Sequence, residues 1–467
     1  MKEKSTLKDV ANNYLTHTKT NEGITLIALV ITIIVLLILA GVAINLTIDR
    51  GGLFDKANNI VEKWNNGVNN EQDILGELMY ALDGPDTSGA NPPLKKDGME
   101  FITYTASGEP KVVTDENTGW YAYKEQDGAT DVANSAGDYG TSKWANGRLN
   151  GNYYVWIPRY AYKIDKSVSY EGRSVTYENG VTSTSISYKI DVKFIGTDVT
   201  SENVSEKVGS GYIVHPAFTF ENQPLTGIWV GKFETTGTEQ TPTILPNETG
   251  LANMDVATMW NTAKKLSTEN YDSHMMKNTE WGAVAYLAQS QYGRNGTEIS
   301  VNQYSEYMTG AGKAIGENKT YESTTYNTIT DSQRYNGSIG KASSTTGNIY
   351  GVYDMVGGKW EYVMGVYGTT TPVLGNTGFT EENLPSSKYY DLYSAVDTTN
   401  IGDALNETKG WNLDANSFMS DSAPVLRRGG VCNNTHNAGI FMYYRGDGTS
   451  ANICSFRVAL TQVILRR

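Results

Sequence analysis

Cysteine and histidine are nearly missing: two and four in 467 residues. Such small numbers exclude most zinc sites, zinc fingers and iron–sulfur centres. Two cysteines also cannot staple a chain of this length, so its stability rests on burial. Basic charge is short as well, 38 Lys and Arg against 51 Asp and Glu, for a net charge of −13. A nucleic-acid binder needs a concentrated positive face, so nucleic acid is not an expected partner. No paired carboxylates, phosphate-cradling glycine loop or Ser-His-Asp set stands out, and Gly209-Ser210-Gly211 opens no helix. What is plentiful is tyrosine, at 31, with 48 glycines and 9 tryptophans. That mix suits a loop-rich domain presenting aromatic contact surface. The length calls for two or three units.

Hydrophobicity is concentrated in one place. Ile24 to Ile44 reads ITLIALVITIIVLLILAGVAI, 21 residues without a charge. At about 1.5 Å per residue, a helix here spans the roughly 30 Å hydrocarbon core, and so long a run favours a membrane span over a buried helix. A secretory signal would be shorter and would end in small residues. A polar leader, 1–23, precedes the run instead. Its Lys2, Lys4, Lys8 and Lys19 favour a cytoplasmic leader with the bulk of the chain outside.

The stretch Gly23-Ile24-Thr25-Leu26-Ile27-Ala28 resembles the leader junction of type IV pilins and pseudopilins. The resemblance implies cleavage between Gly23 and Ile24 by a prepilin peptidase, methylation of the new amino terminus, the lipid bilayer and pilin-like subunits as partners, and a single-pass protein of the bacterial cytoplasmic membrane displayed at the cell surface. Ala28 stands where that family has a glutamate, which removes both the cost of an intramembrane charge and a docking contact. This fits a minor tip subunit or a protein that stays anchored. A transmembrane helix over 24–50 is then followed by a stalk helix over 51–84. Apolar Ile60, Val61, Trp64, Val68, Ile74, Leu75, Leu78 and Met79 give the stalk one sticky face, set either against the next domain or against another subunit. Pro, Gly and Asp then mark a linker, 85–115.

The remaining chain, 116–467, has little helical periodicity. Tyr153–Tyr162, Tyr188–Ile195 and Gly227–Glu234 read as strands. Asp255–Leu266 behind Asn253, and Thr279–Gln289 behind Asn278, read as helices, with Glu280 early in the second where a helix favours negative charge. The most specific stretch is Asn348–Val363, NIYGVYDMVGGKWEYV. Its Asn348, Tyr350, Gly351, Tyr353, Asp354, Met355, Gly357 and Glu361, with Trp360, resemble the signature of the formylglycine-generating enzymes, or sulfatase-modifying factors. Arg428, Gly429 and Gly430, then Phe456 and Arg457, match that family's closing elements. The fold this implies is C-type-lectin-like. The whole therefore reads as α+β: a long N-terminal transmembrane and stalk helix, then an irregular C-type-lectin-like domain.

Glu361 and Arg457 lie among apolar neighbours and need partners if buried. Pairing of Glu361 with Arg457 or Arg428 is expected; the family resemblance also implies calcium at a glutamate matching Glu361, and an ion pair is the preferred reading. No other cofactor or metal is expected. The enzyme family uses a reactive cysteine pair, but here Cys432 follows the Arg-Gly-Gly element too early and Cys454 comes far later, so no catalytic residue is assigned. His436 near Cys432 reads as a chance neighbour. Whether Cys432 and Cys454 form a disulfide is a matter of geometry.

The segment 431–454, VCNNTHNAGIFMYYRGDGTSANIC, resembles the diversified region of variable proteins of diversity-generating retroelements. The resemblance implies a binding surface at Val431, Cys432, Asn433, Asn434, His436, Phe441, Tyr443, Tyr444, Arg445, Asp447, Ile453 and Cys454. Tyrosine and phenylalanine offer contact area with few rotatable bonds, and Phe441, Tyr443, Tyr444 and Arg445 have hot-spot composition. The expected function is an anchored ligand-binding protein, an adhesin or receptor, for an extracellular protein or glycan. An extracellular oxidase related to the formylglycine-generating enzymes and a minor tip pseudopilin are the alternatives.

Overall fold

The chain divides into two units, Met1–Asp83 and Gly84–Arg467. The computed structural model describes residues 89–462 apart from 118, 127–137, 177–179, 313–328 and 435–437, all within the second unit. The leader with Gly23 and Ile24, the apolar run 24–50 and the stalk 51–84 lie outside the described residues.

The segment expected as a linker carries structure. Met99–Tyr104 (β1), buried except at Glu100 and Thr103, pairs antiparallel with Pro110–Val112 (β2), and lays its other edge along Asn146–Leu149 (β3). Asn152–Pro158 (β4) turns back on β3. Tyr160–Thr176 (β5) and Thr182–Phe194 (β6) then form a long, bulged hairpin, and after the one-turn helix Val204–Lys207 (α1) the short Ile213–Val214 (β7) pairs with its root. Gly227–Gly231 (β8) returns to β4 with Trp229 opposite Trp156, their rings 5.3 Å apart.

Two longer helices follow as their caps dictate. Val256–Lys264 (α2) begins at Asp255, whose carboxylate accepts from the Thr258 amide at 2.8 Å; this is the cap, not Asn253. Tyr271–Met275 (β9) leads into Asn278–Gln289 (α3). There Glu280 reaches back to accept the Lys277 amide at 2.8 Å and meets the His274 ring at 3.1 Å. Trp360–Tyr367 (β10), Asp391–Tyr393 (β11), Val425–Arg428 (β12), Tyr443–Gly446 (β13), Cys454–Phe456 (β14) and Val458–Gln462 (β15) complete the fold.

These strands make two main sheets. One runs β9-β15-β8-β4-β3-β1-β2; the other runs β11-β10-β12-β13, with β14 parallel to the start of β10. The chain passes from one sheet to the other between β14 and β15, at Arg457, so this residue sits where the layers meet. Directly after β8, Lys232 is fully buried. Its ammonium donates to Asn146 Oδ1 (2.8 Å) and to the carbonyls of Ile349 (2.6 Å) and Gly351 (2.9 Å). Burial pulls its pKa down, but three acceptors call for three donors, which only the charged form supplies.

The α+β expectation with a long N-terminal transmembrane and stalk helix is corrected. Among the described residues strands dominate, and the helices have 4, 9 and 12 residues. Even α3, at about 1.5 Å per residue, covers little more than half of a bilayer core. No helix among the described residues is long and apolar enough to cross a membrane, so the single-pass membrane and cell-surface assignment is not supported.

Candidate recognition face

The centre of the second sheet is electrostatic. Glu361 on β10 is opposite Arg428 in register, yet its carboxylate is held by Arg457, with Nε to Oε2 at 3.0 Å and Nη2 to Oε1 at 2.5 Å, all fully buried. Arg457 also donates to the carbonyls of Gly231 (2.7 Å) and Tyr353 (2.8 Å), tying both sheets to the signature loop. Burial, only partly offset by Arg457, leaves the Glu361 carboxyl raised to about 7; the two contacts have the geometry of an ion pair. Since both Glu361 oxygens are taken by the guanidinium, calcium there would have to displace Arg457. No cluster of three or more potential metal ligands occurs among the described residues.

Arg428 goes elsewhere. It donates to Asn278 Oδ1 at 2.6 and 2.9 Å and to the carbonyls of Asp403, Ala404 and Met442. Asp354 accepts from Asn302 (2.8 Å) and the Gly310 amide (2.8 Å). Glu234 accepts the Lys359 amide at 2.8 Å; burial and then the charges of Asp354 and Glu361 push its carboxyl well up. The signature is thus structural plumbing. Asn348 turns its own loop by accepting the Tyr350 amide (2.9 Å) while donating to the Ser142 carbonyl (2.8 Å). Gly357 runs so close to Asn302 that an added Cβ would sit 2.3 Å from its carbonyl oxygen, with φ at +82°.

The strand β13 sorts the expected binding residues into two groups. Its burial runs in, out, out, in. Tyr443 is buried 5.6 Å from the Arg428 guanidinium. Phe441 is fully buried against Trp411 (5.2 Å) and Tyr286 (6.4 Å). Both fill the core, contrary to their expected display. Tyr444 and Arg445 are both exposed, Tyr444 at 38%, but on opposite faces of the strand, Tyr444 level with Arg427 and Arg445 level with Leu426. Gly446 must be glycine because an added Cβ would lie 2.6 Å from the Tyr362 ring.

Beyond the strand, Asn433 is exposed; Asn434 is half-buried and caps its own turn by accepting the Val431 amide at 2.9 Å. Val431 and Cys432 are buried, the latter donating its amide to Gly358 at 2.9 Å. Asp447 and Ile453 are half-buried and Cys454 is buried. His436 lies outside the described residues. Both cysteines are free thiols. Burial pushes each up, away from the thiolate, with Lys359 pulling Cys432 back and Arg427 pulling Cys454 back.

Residues outside the expected set complete the face. Arg427 on β12 packs against two rings, 4.9 Å from that of Trp360 and 5.6 Å from that of Tyr444, and the rings are 5.8 Å apart. It donates to the Arg445 carbonyl at 3.2 Å and to Cys454 Sγ at 3.7 Å. Lys359 sits over Tyr307 at 3.6 Å and donates to the Asn452 carbonyl. Consecutive strand residues face opposite ways, so the pair Arg427-Arg428 in one strand already required one arginine inside and one outside. That signal was available in the sequence. No protein-family model matches the chain, and no curated protein matches it.

Proposed function

We propose that the unit Gly84–Arg467 is a ligand-binding module whose recognition surface is the exposed sheet edge at β12 and β13, around Arg427 and Tyr444. The observation that carries this reading is the Trp360–Arg427–Tyr444 cluster: a guanidinium packs against two aromatic rings at the edge of the sheet, where Tyr444 and Arg445 are exposed. Rigid aromatics and a pre-positioned arginine are the commonest hot-spot residues, because little side-chain freedom remains to be lost on binding. The likeness of 431–454 to the diversified segment of retroelement variable proteins supports the same face. Residues fixed in the core (Phe441, Tyr443, Gly446) carry the scaffold, and residues turned outward meet the partner. The oxidase reading gains nothing here, since both thiols are buried and shifted away from their nucleophilic form.

The test is selection of displayed random peptides and arrayed glycans on the purified full-length protein, with Tyr444→Ala and Arg445→Ala as counter-targets. Selected ligands should lose about tenfold or more in affinity for each variant while circular dichroism stays unchanged. Ligands that bind both variants as well as the parent chain would overturn the assignment of this face.

A further inference from the structure

The geometry points to a second binding site, an aromatic groove for extended proline-rich segments, which residues 91–94 of this same chain occupy. The groove crosses the first sheet. Its walls are Trp156 on β4, Trp229 on β8 and Tyr271 on β9, all fully buried. Over them runs Ala90-Asn91-Pro92-Pro93-Leu94. Trp156 Nε1 donates to the Asn91 carbonyl at 3.1 Å. Trp229 Nε1 donates to the Leu94 carbonyl at 2.8 Å, and the Tyr271 hydroxyl joins it there at 3.2 Å. The same hydroxyl accepts the Lys96 amide at 2.8 Å, and Asn91 Nδ2 donates to the Ile195 carbonyl at 2.8 Å. Ala90 and Pro93 are buried, Leu94 is half-buried against the core, and Pro92 and Lys95 are exposed.

This is how a ligand is held rather than how a strand is. The stretch belongs to no strand of the sheet it crosses. Its carbonyls at Asn91 and Leu94 are met by side chains, where a strand's would be met by the backbone of a neighbour. Toward the backbone of this segment the groove offers three donors, from two indoles and a phenol, against the one acceptor of that phenol. Such a set fits a ligand with carbonyls to spare and few N–H groups, and proline supplies both. Each proline also keeps the residue before it extended, so the segment arrives already shaped and loses little freedom on docking. Aromatic-lined grooves are the recurring way in which proteins read segments of this kind. A helix would not suit these donors, because its carbonyls are spent internally. Tied to β1 by a few residues, the resident segment has an effective concentration in the millimolar range, so a proline-rich segment from a partner enters by displacing it.

The experiment uses the full-length protein with Pro92→Gly, Pro93→Gly and Leu94→Gly combined, which releases the resident segment. This variant should keep its circular dichroism spectrum and a cooperative melting transition. A synthetic peptide of residues 89–96, GANPPLKK, should then bind it saturably, read by tryptophan fluorescence, and should bind the parent chain at least about tenfold more weakly. The same peptide with both prolines replaced by glycine should lose about tenfold or more in affinity. Adding Trp229→Phe, which keeps an aromatic ring but removes the N–H, should weaken the peptide about threefold or more. A folded variant that ignores the peptide, or one that binds the glycine peptide equally well, would overturn the site. A variant without a cooperative transition would overturn it too, because residues 91–94 would then be part of the folding core and not a resident ligand.

Discussion

His215 shows how far a single side chain is bent to the needs of its surroundings. Its ring is fully buried among Tyr160 (5.1 Å), Tyr162 (5.6 Å), Phe218 (5.7 Å) and Tyr286 (5.7 Å), and its Nδ1 accepts the Ala217 amide at 3.3 Å. Burial lowers its pKa from 6.5 to about 3. The unfolded chain therefore binds a proton that the folded chain refuses, between pH 6.5 and about 3. Stability is unaffected above pH 6.5 and falls as the medium is acidified through that window, by roughly 2 kcal/mol from this group between pH 7 and 5. Urea denaturation at each pH should show a flatter profile for His215→Phe over pH 7 to 5; an identical slope would refute the assignment. At this scale the sequence was partly legible. The apolar context of Glu361 and Arg457 demanded partners, and the two meet. Which arginine serves Glu361 was not legible, because Arg428 is the strand neighbour but its side chain is spent on Asn278 and three backbone carbonyls.

Among the elements, β13 is the instructive one. Its composition, Tyr-Tyr-Arg-Gly, suits a binding patch, but a strand has two faces. Tyr443→Ala should cost about 3–5 kcal/mol of stability, as for truncation of a buried aromatic, whereas Tyr444→Ala should cost about 1 kcal/mol or less. Denaturant titration of the two variants checks this, and equal losses would contradict the inward and outward assignment. The segment expected as a linker, 85–115, misled for a related reason. Turn residues punctuate it densely, yet MEFITY between them has the alternation of a strand edge, and a sheet already present at β3 captures it. By contrast α2 and α3 were legible from their apolar spacing and the early Glu280, although their caps were not: Asp255 rather than Asn253 caps α2, and α3 starts after Lys277 rather than Asn278.

For the molecule as a whole, the described part of the chain is held together by one large apolar core drawing on both sheets and on α2 and α3, with a small satellite around Ala161, Val199 and Val214. A core of that extent should not need residues 1–83. A chain beginning at Gly84 is expected to fold, with a melting temperature within about 5 °C of the full-length protein; a fragment that lacks a cooperative melting transition would refute this. The two-sheet arrangement itself was not legible. The sequence shows strands, but the decision to run β14 beside β10 and then send β15 into the other sheet depends on contacts more than two hundred residues apart, such as Arg457 with Gly231. Lys232 carries a consequence of the same kind. Its hydrogen bonds go to oxygens from distant stretches of chain, at Asn146, Ile349 and Gly351, with the rings of Tyr104 and Tyr353 around it. To peel any one of them away would strand a cation in an oily surrounding, so these stretches must let go together, and partial fraying around β8 is suppressed by a single amine.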